Sequence, residues 1–145
     1  MNEIDTELRH NIRKWWIYSL FEFARLEYQR RLWIEALYSD IIGDSTEAIC
    51  GYFDDLELNN GYESFVKEGF VRQEEAALVS EFHELLNSYL SRPEKNSLSD
   101  QNILRDIEWI NLTKLAKENW EKLKVIITDE REMEYVISLE NRISN

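Results

Sequence analysis

The two histidines and the single cysteine are the residues that could support metal binding or nucleophilic catalysis. His10 follows Glu7 at the Glu-x-x-His spacing of di-iron sites, but such sites need a second Glu-x-x-His motif that the sequence lacks. His83 borders an apolar helical stripe, so we expect it at the partly exposed edge of the core. Cys50 has no histidine or group of cations nearby in the sequence to activate its thiol, so we expect a buried structural residue.

The segment that begins at Asp55 carries oxygen ligands at alternating positions, as a calcium-binding loop does. An EF-hand loop starting there would need glycine at its sixth position and glutamate at its twelfth, where Asn60 and Val66 stand. The sequence also shows no glycine-rich phosphate loop, no nucleophile elbow and no zinc-type Cys/His spacing. We therefore predict a protein that is not an enzyme, has no catalytic residues and uses no cofactor or metal.

The composition favours one helical domain. A chain of 145 residues with 43% apolar residues and five tryptophans can bury a core of its own. It contains only four glycines and one proline, while good helix formers recur throughout. A single cysteine excludes an internal disulfide. We predict a single all-α domain that spans residues 1–145.

Hydrophobic spacing predicts a bundle of about five to six helices, with a long, largely buried N-terminal helix. Asp44 and Asp129 are predicted helix N-caps, each followed three residues later by glutamate. Glu22 lies between two phenylalanines, and since an unpaired buried charge is costly, we expect it to pair with Arg25 or another cation. The first four predicted helices cover residues 3–38, 45–56, 62–68 and 73–91. A polar loop at 94–99 separates them from a fifth helix, which could break near 111–113, and a last helix begins at residue 129.

Negative charge is concentrated in one part of the sequence. Residues 41–84 carry two basic side chains against eleven acidic ones, which is −9 of the formal net charge of −12. Such a field disfavours nucleic acid and anionic membranes and favours a basic partner. An acidic surface that only keeps the protein soluble is the simpler alternative. We expect a cytoplasmic protein, because the start lacks a signal-peptide pattern and the most apolar stretch, residues 15–24, is too short to span a bilayer.

Aromatic residues are interspersed with carboxylates inside this acidic stretch. Tyrosines offer rigid contact area to a protein partner, and carboxylates pair with arginine and lysine side chains. On a helix, Ile49, Phe53 and Leu56 share one face, which leaves the acidic residues between them more exposed. We predict that a basic protein binds here and contacts Asp54, Asp55, Glu57, Tyr62, Glu63, Glu68, Glu74, Glu81 and Glu84.

Several short segments carry a resemblance to a known family. They are Glu22-Phe23-Ala24, Glu27-Tyr28-Gln29 with Trp33, Ile42-Gly43-Asp44, the run from Glu47 to Leu56, Gly61-Tyr62, the run from Glu81 to Leu86, Trp109, and Leu115-Ala116-Lys117 with Trp120. In this pattern, over residues 10–124, the chain resembles small helical bacterial immunity proteins of contact-dependent growth inhibition and related polymorphic-toxin systems.

The resemblance implies a cytoplasmic protein that binds one toxin domain, one-to-one, and blocks its active site or its substrate access. An acidic inhibitor suits a nuclease, because such a toxin must present cations to RNA phosphates. An RNase of the EndoU type is the preferred toxin class. Two alternatives remain: a helical adaptor or regulatory protein without a toxin partner, and an orphan enzyme, which would need a concave pocket with convergent polar groups.

Overall fold

Every regular element in the described part of the chain is helical. A computed structural model describes residues 3–38, 40–41 and 43–144, with side chains described within residues 6–143. Ile42, which belongs to the family pattern above, lies outside the described residues. The helices are α1 (Glu3–Ala24), α2 (Leu26–Gln29), α3 (Ser45–Cys50), α4 (Glu63–Lys67), α5 (Gln73–Ser91), α6 (Pro93–Asn96), α7 (Asp100–Ile103), α8 (Ile107–Ile126) and α9 (Glu130–Ser144). A π-helical turn extends α2 over Arg30–Ile34, and another extends α3 over Gly51–Asp55.

The prediction of a single all-α domain is confirmed, but the described residues form more helices than the expected five to six. The predicted first helix is interrupted at Arg25, whose backbone is extended with φ −130° and ψ 97°. Pro93 begins a helical turn where a polar loop was expected, because its fixed φ suits the first position of a helix. The fifth predicted helix breaks before Asp106 and not at residues 111–113. Asp106 causes the restart, since its carboxylate accepts a 3.1 Å hydrogen bond from the backbone N–H of Glu108.

The two predicted N-caps are confirmed. The carboxylate of Asp44 accepts a 2.8 Å hydrogen bond from the backbone N–H of Glu47 at the start of α3. The carboxylate of Asp129 accepts from the N–H groups of Arg131 at 2.8 Å and Glu132 at 3.2 Å at the start of α9. All three bonds satisfy donors that the first turn of a helix leaves without a partner.

Helix α1 is buried mainly over its second half, which corrects the expectation of a largely buried N-terminal helix. Arg13, Trp16 and Ile17 face the interior, and its last five residues are all buried. Leu8 and Trp15, by contrast, are 51% and 61% exposed. The cause lies in the sequence, since the second half is apolar on nearly all sides whereas the first half is amphipathic.

The core is built around aromatic side chains that α1 contributes. The ring of Phe23 lies 5.6 Å from Tyr52, 5.8 Å from Phe82 and 6.1 Å from Trp109, centroid to centroid. These partners come from the turn after α3, from α5 and from α8, so one side chain joins four parts of the chain. Helix α1 packs on α8 and α9, and α5 also packs on α8.

Arg13 is a buried cation that ties α1 to three distant segments. All five of its N–H groups donate hydrogen bonds, which fills the donor capacity of a guanidinium. Two go to each of the carboxylates of Glu75 and Glu132 at 2.7–2.9 Å, and the fifth goes to the backbone oxygen of Phe70 at 2.9 Å. Arg13 is 3% exposed, Glu75 0% and Glu132 4%, so water screens these charges very little.

The two carboxylates that bind Arg13 stand at the beginnings of α5 and α9. Glu75 also accepts a 2.8 Å hydrogen bond from the backbone N–H of Arg72. Burial acts to raise the pKa of Glu75, but the hydrogen bonds from Arg13 and from the backbone of Arg72 outweigh it and lower that pKa. Arg13 therefore fixes where two helices start as well as how they pack.

We expect Arg13→Ala to lower the free energy of unfolding by about 3–5 kcal/mol, since it leaves two buried carboxylates without their cation. Urea denaturation followed by circular dichroism measures the loss. The matched control is Arg9→Ala on the same helix, because Arg9 donates one exposed bond, of 2.8 Å, to the backbone oxygen of Gly69. That variant should cost about 1 kcal/mol or less. Equal losses for the two variants would show that the Arg13 cluster does not hold the fold together.

Candidate functional site

Five exposed carboxylates, which we call the acidic face, lie between the end of the turn after α3 and the end of α4. They belong to Asp54, Asp55, Glu57, Glu63 and Glu68. Asp54, Glu57 and Glu63 line a polar hollow of about 710 Å³ together with Lys67 and the turn at residues 59–61. The structure thus brings together five of the nine residues that the sequence predicted for a protein interface.

The carboxylates of the acidic face form no salt bridge with any cation among the described side chains, within a 4.0 Å limit. Glu81 and Glu84 on α5 are also exposed and share this property. Glu74 differs, because it forms an ion pair with Arg72. Of the predicted interface, Glu74 is therefore already neutralised, while seven carboxylates remain available to a partner.

Tyr62 was predicted to contact the partner, and the structure contradicts this. The side chain is 9% exposed and its hydroxyl group is fully engaged in the interior. Trp16 donates its indole N–H to the Tyr62 oxygen at 2.9 Å, and the Tyr62 and Tyr52 hydroxyls are 2.7 Å apart. Tyr62 faces inward because its aromatic ring packs edge-on against Trp16 and Phe65. It supports the acidic face from below and does not belong to it.

The hydrogen-bond chain continues to His83, which is buried and does not lie at the partly exposed edge of the core as expected. Its Nδ1 lies 2.8 Å from the Tyr52 hydroxyl and the residue is 6% exposed. Burial lowers the pKa of His83, against the opposite influence of the Glu84 carboxylate. A neutral imidazole that accepts from Tyr52 completes a chain in which the tyrosine hydroxyls each donate once and accept once. The chain fixes the turn after α3 against α1 and α5.

Glu57 adopts a left-handed backbone conformation, with φ of 57°. The N–H of Leu58 bonds to the carbonyl of Phe53 at 2.9 Å, and the N–H of Glu57 bonds to that of Asp54 at 3.2 Å. This pair of bonds is a Schellman motif, whose left-handed position is normally occupied by glycine. Leu58 is fully buried beyond it. A glutamate at this position therefore carries backbone strain on the acidic face.

The same motif closes α4, this time with glycine. The N–H of Phe70 bonds to the carbonyl of Phe65 and that of Gly69 to Val66, both at 3.0 Å. Gly69 has φ of 81°, a left-handed conformation that glycine adopts without a steric penalty. The end of the turn after α3 and the end of α4 both need a residue with a left-handed backbone, and of these two residues only Glu57 has a side chain.

Cys50 is half-buried, which differs from the expectation of a buried thiol. Burial raises its pKa, and the nearby Asp54 carboxylate raises it further. A thiol held in its protonated form is a weak nucleophile. The position of Cys50 beside the acidic face therefore argues against a role in covalent chemistry.

One group of potential metal ligands occurs among the described residues. A ligand atom from each of His10, Asp129 and Glu132 lies within 4.8 Å of the others. Both oxygens of Glu132 accept hydrogen bonds from Arg13, and one oxygen of Asp129 caps α9. A metal ion would have to compete with these bonds for the same oxygens, so the arrangement is explained by the fold alone.

Glu22 is a second buried carboxylate, and it was expected to pair with a cation. The structure contradicts this, since the described cations form no ion pair with it and its partner is the indole N–H of Trp33, which donates at 2.8 Å. Burial raises the pKa of Glu22 to about 7, although the bond from Trp33 acts in the opposite direction. Arg25 reaches Glu140 at 3.1 Å instead. The pKa of Glu22 therefore lies near neutral pH.

Glu22 makes stability depend on pH in a window that can be measured. Because the folded protein holds this proton more tightly than the unfolded chain, stability is highest below the reference pKa of 4.5 and falls as pH rises through about 7. Glu22→Gln keeps an acceptor for Trp33 and removes the titration. Between pH 5 and pH 8, its stability relative to the natural protein should rise by about 3 kcal/mol in urea denaturation. His83 is present in both proteins, so its contribution to the pH dependence of stability cancels in the comparison. A difference in the free energy of unfolding that stays constant across this range would contradict the prediction.

The described helices include none that is long and apolar enough to cross a lipid bilayer. A comparison of the chain with protein-family models, with curated proteins and with solved structures finds no match. The resemblance to immunity proteins therefore stays a prediction.

Proposed function

We propose that this protein is a cytoplasmic immunity protein that binds a basic toxin domain through the acidic face and blocks its active site or its substrate access. The observation that carries the proposal is that Asp54, Asp55, Glu57, Glu63 and Glu68 form no ion pair with any cation in the described part of the chain. A protein surface that leaves five neighbouring carboxylates without a cation presents a strong negative field to an approaching partner. As the resemblance suggests, the preferred partner is a nuclease, and an RNase of the EndoU type in particular.

The chemistry of inhibition follows from what a nuclease must offer its substrate. Arginine and lysine side chains that bind RNA phosphates bind carboxylates by the same charge-assisted hydrogen bonds. The hollow beside Asp54, Glu57 and Glu63 is wide enough to admit cationic side chains, since its volume is about 710 Å³. Inhibition of this kind needs no catalytic residue and no cofactor.

The acidic face is held rigidly, which favours tight binding. Beneath it, Tyr62 and Phe65 are buried, and the Tyr62 hydroxyl belongs to the hydrogen-bond chain that ends at His83. A surface that is ordered before its partner arrives loses less conformational entropy on binding. The strained backbone at Glu57 supports the same interpretation, because strain of this kind is concentrated at functional sites.

The first test reverses three charges of the acidic face together, Asp54→Lys, Asp55→Lys and Glu57→Lys. Melting should be nearly unchanged, because exposed and unpaired charges contribute little to stability. Affinity for the toxin domain encoded beside the gene, measured by calorimetry, should fall at least about tenfold, since each lost pair is replaced by repulsion.

The control variant reverses Glu118, Glu130 and Glu134, which are exposed and form no ion pair among the described residues. It changes the net charge by the same amount from α8 and α9. Equal weakening by both triple variants would mean that only overall charge matters. No weakening by either, or no toxin gene next to this one, would refute the proposal.

A second test separates stability from binding at a single residue. Glu57→Gly relieves the left-handed strain and should raise the free energy of unfolding by about 1 kcal/mol. It also removes a carboxylate from the hollow, so binding to the toxin domain should weaken. A variant that gains stability and keeps full affinity would show that Glu57 has no part in the interface.

A further inference from the structure

Helix α1 has an apolar stripe that is largely exposed. Leu8, Ile12 and Trp15 follow one another at helical spacing beside the face that holds Arg13 and Trp16, and Ile12 is half-buried against the core. Trp15 is 61% exposed, whereas the other four tryptophans are at most 8% exposed. An exposed tryptophan is costly to leave in water and is the residue type most enriched where protein partners bind strongly.

This stripe forms one wall of a groove whose other wall belongs to the segment that carries the acidic face. The groove has a volume of about 360 Å³, and Leu56, Phe65 and Phe70 line it opposite the three residues of α1. Leu56 is 4% exposed and Phe65 6%, so the groove is bounded by rigid parts of the core.

The rim of the groove is acidic. Asp55, Glu57 and Glu68 line it together with Ser64, and none of these carboxylates pairs with a cation in the part of the chain that the structure describes. The nearest lysine on α1 is already engaged, since the Lys14 ammonium lies 5.0 Å from the ring centroid of Tyr135 on the far side of Trp15. The groove is therefore apolar inside and negatively charged at its edge.

We propose that this groove is the anchor site for a large apolar side chain, aromatic or leucine-like, which a basic protein presents between flanking lysine or arginine residues. Trp15 and Leu8 contact the apolar side chain, and the carboxylates of Asp55, Glu57 and Glu68 pair with the flanking cations. A second copy of this chain fits poorly, because its formal net charge of −12 would bring one acidic rim against another. The inference rests on the proposed function only in taking the partner to be a basic protein.

The binding test uses synthetic pentapeptides, so it does not depend on any toxin. The probe is Lys-Arg-Phe-Arg-Lys with blocked ends, compared with the same peptide carrying alanine in place of phenylalanine and with Glu-Glu-Phe-Glu-Glu. The indole N–H signal of Trp15 in an ¹⁵N-labelled sample, assigned with Trp15→Phe, reports occupancy of the groove. We expect the phenylalanine probe to shift this signal and to bind about tenfold more tightly than the alanine probe. The acidic probe should produce no shift.

Two leucines with similar exposure provide a matched pair of variants. Leu8→Ala in the groove should weaken binding of the phenylalanine probe several-fold, and Trp15→Ala, which lacks the reporter indole and is measured by calorimetry, should weaken it about tenfold or more. Leu37→Ala should have no effect, because Leu37 is 62% exposed but does not line the groove. All three positions are exposed, so a thermal melt should show that each variant folds like the natural protein.

Three results would overturn the inference. The first is equal binding of the phenylalanine and alanine probes, or none of either, and the second is equal loss in the Leu8 and Leu37 variants. The third is a Trp15 signal that shifts with protein concentration alone, accompanied by a doubled mass in sedimentation, which would identify a second copy as the occupant. The charge-reversal test on the toxin domain decides the proposed function separately, so a failure of one proposal can be told from a failure of the other.

Discussion

The five hydrogen bonds of Arg13 are the constraint on which the rest of this structure depends. A guanidinium removed from water is tolerated only when all of its donors and its charge are matched, and here Glu75, Glu132 and the carbonyl of Phe70 match them. Since these partners begin α5, begin α9 and close the turn after α4, one side chain sets the positions of segments that lie 57 to 119 residues away from it in sequence. The turn that it holds carries Gly69 and Phe70, which border the acidic face and the groove. The surface proposed for binding is thus organised from within the core.

The fold class was predicted correctly from the sequence, but the burial of α1 was not, and Arg13 explains why. The helix has two stripes at helical spacing, one with Leu8, Ile12 and Trp15 and the other with Arg13 and Trp16. Hydrophobic periodicity identifies a helix, but it cannot tell which of two stripes faces the core. Here the fully apolar stripe competes with the stripe that contains the Arg13 cation. The choice depends on carboxylates 62 and 119 residues away, and no local pattern contains that information. The presence of two stripes on one helix was the available sequence signal that part of the apolar surface of α1 is exposed.

Local chemistry predicted several helix ends correctly, although it missed the restart at Asp106 and the helical turn that begins at Pro93. The N-caps at Asp44 and Asp129, the left-handed Gly69 and the bounds of α5 all follow from residues within a few positions of one another. The misplaced residues are those whose partners lie far away in sequence. Tyr62 was expected outside because its neighbours are acidic, yet its hydroxyl accepts from the indole N–H of Trp16 on α1 and bonds to the hydroxyl of Tyr52 in the turn after α3. Most of the acidic face was predictable, because exposure of its carboxylates follows from the helical faces around them.

The acidic face keeps its charge because most of the cations near it are committed elsewhere, and Lys67, which lines the hollow, forms no salt bridge with these carboxylates among the described residues. Arg9 and Arg13 of α1 reach the same region, but they donate to the backbone oxygens of Gly69 and Phe70 and to buried carboxylates. Arg72 pairs with Glu74 and lies 3.6 Å from the Glu75 carboxylate, so it is engaged away from the acidic face. The fold therefore uses most of its local positive charge to close turns and start helices, and none of the described cations forms a salt bridge with the acidic face. A groove that is apolar inside and acidic at its rim is what remains at the surface, and a basic segment with an apolar side chain is its physical complement.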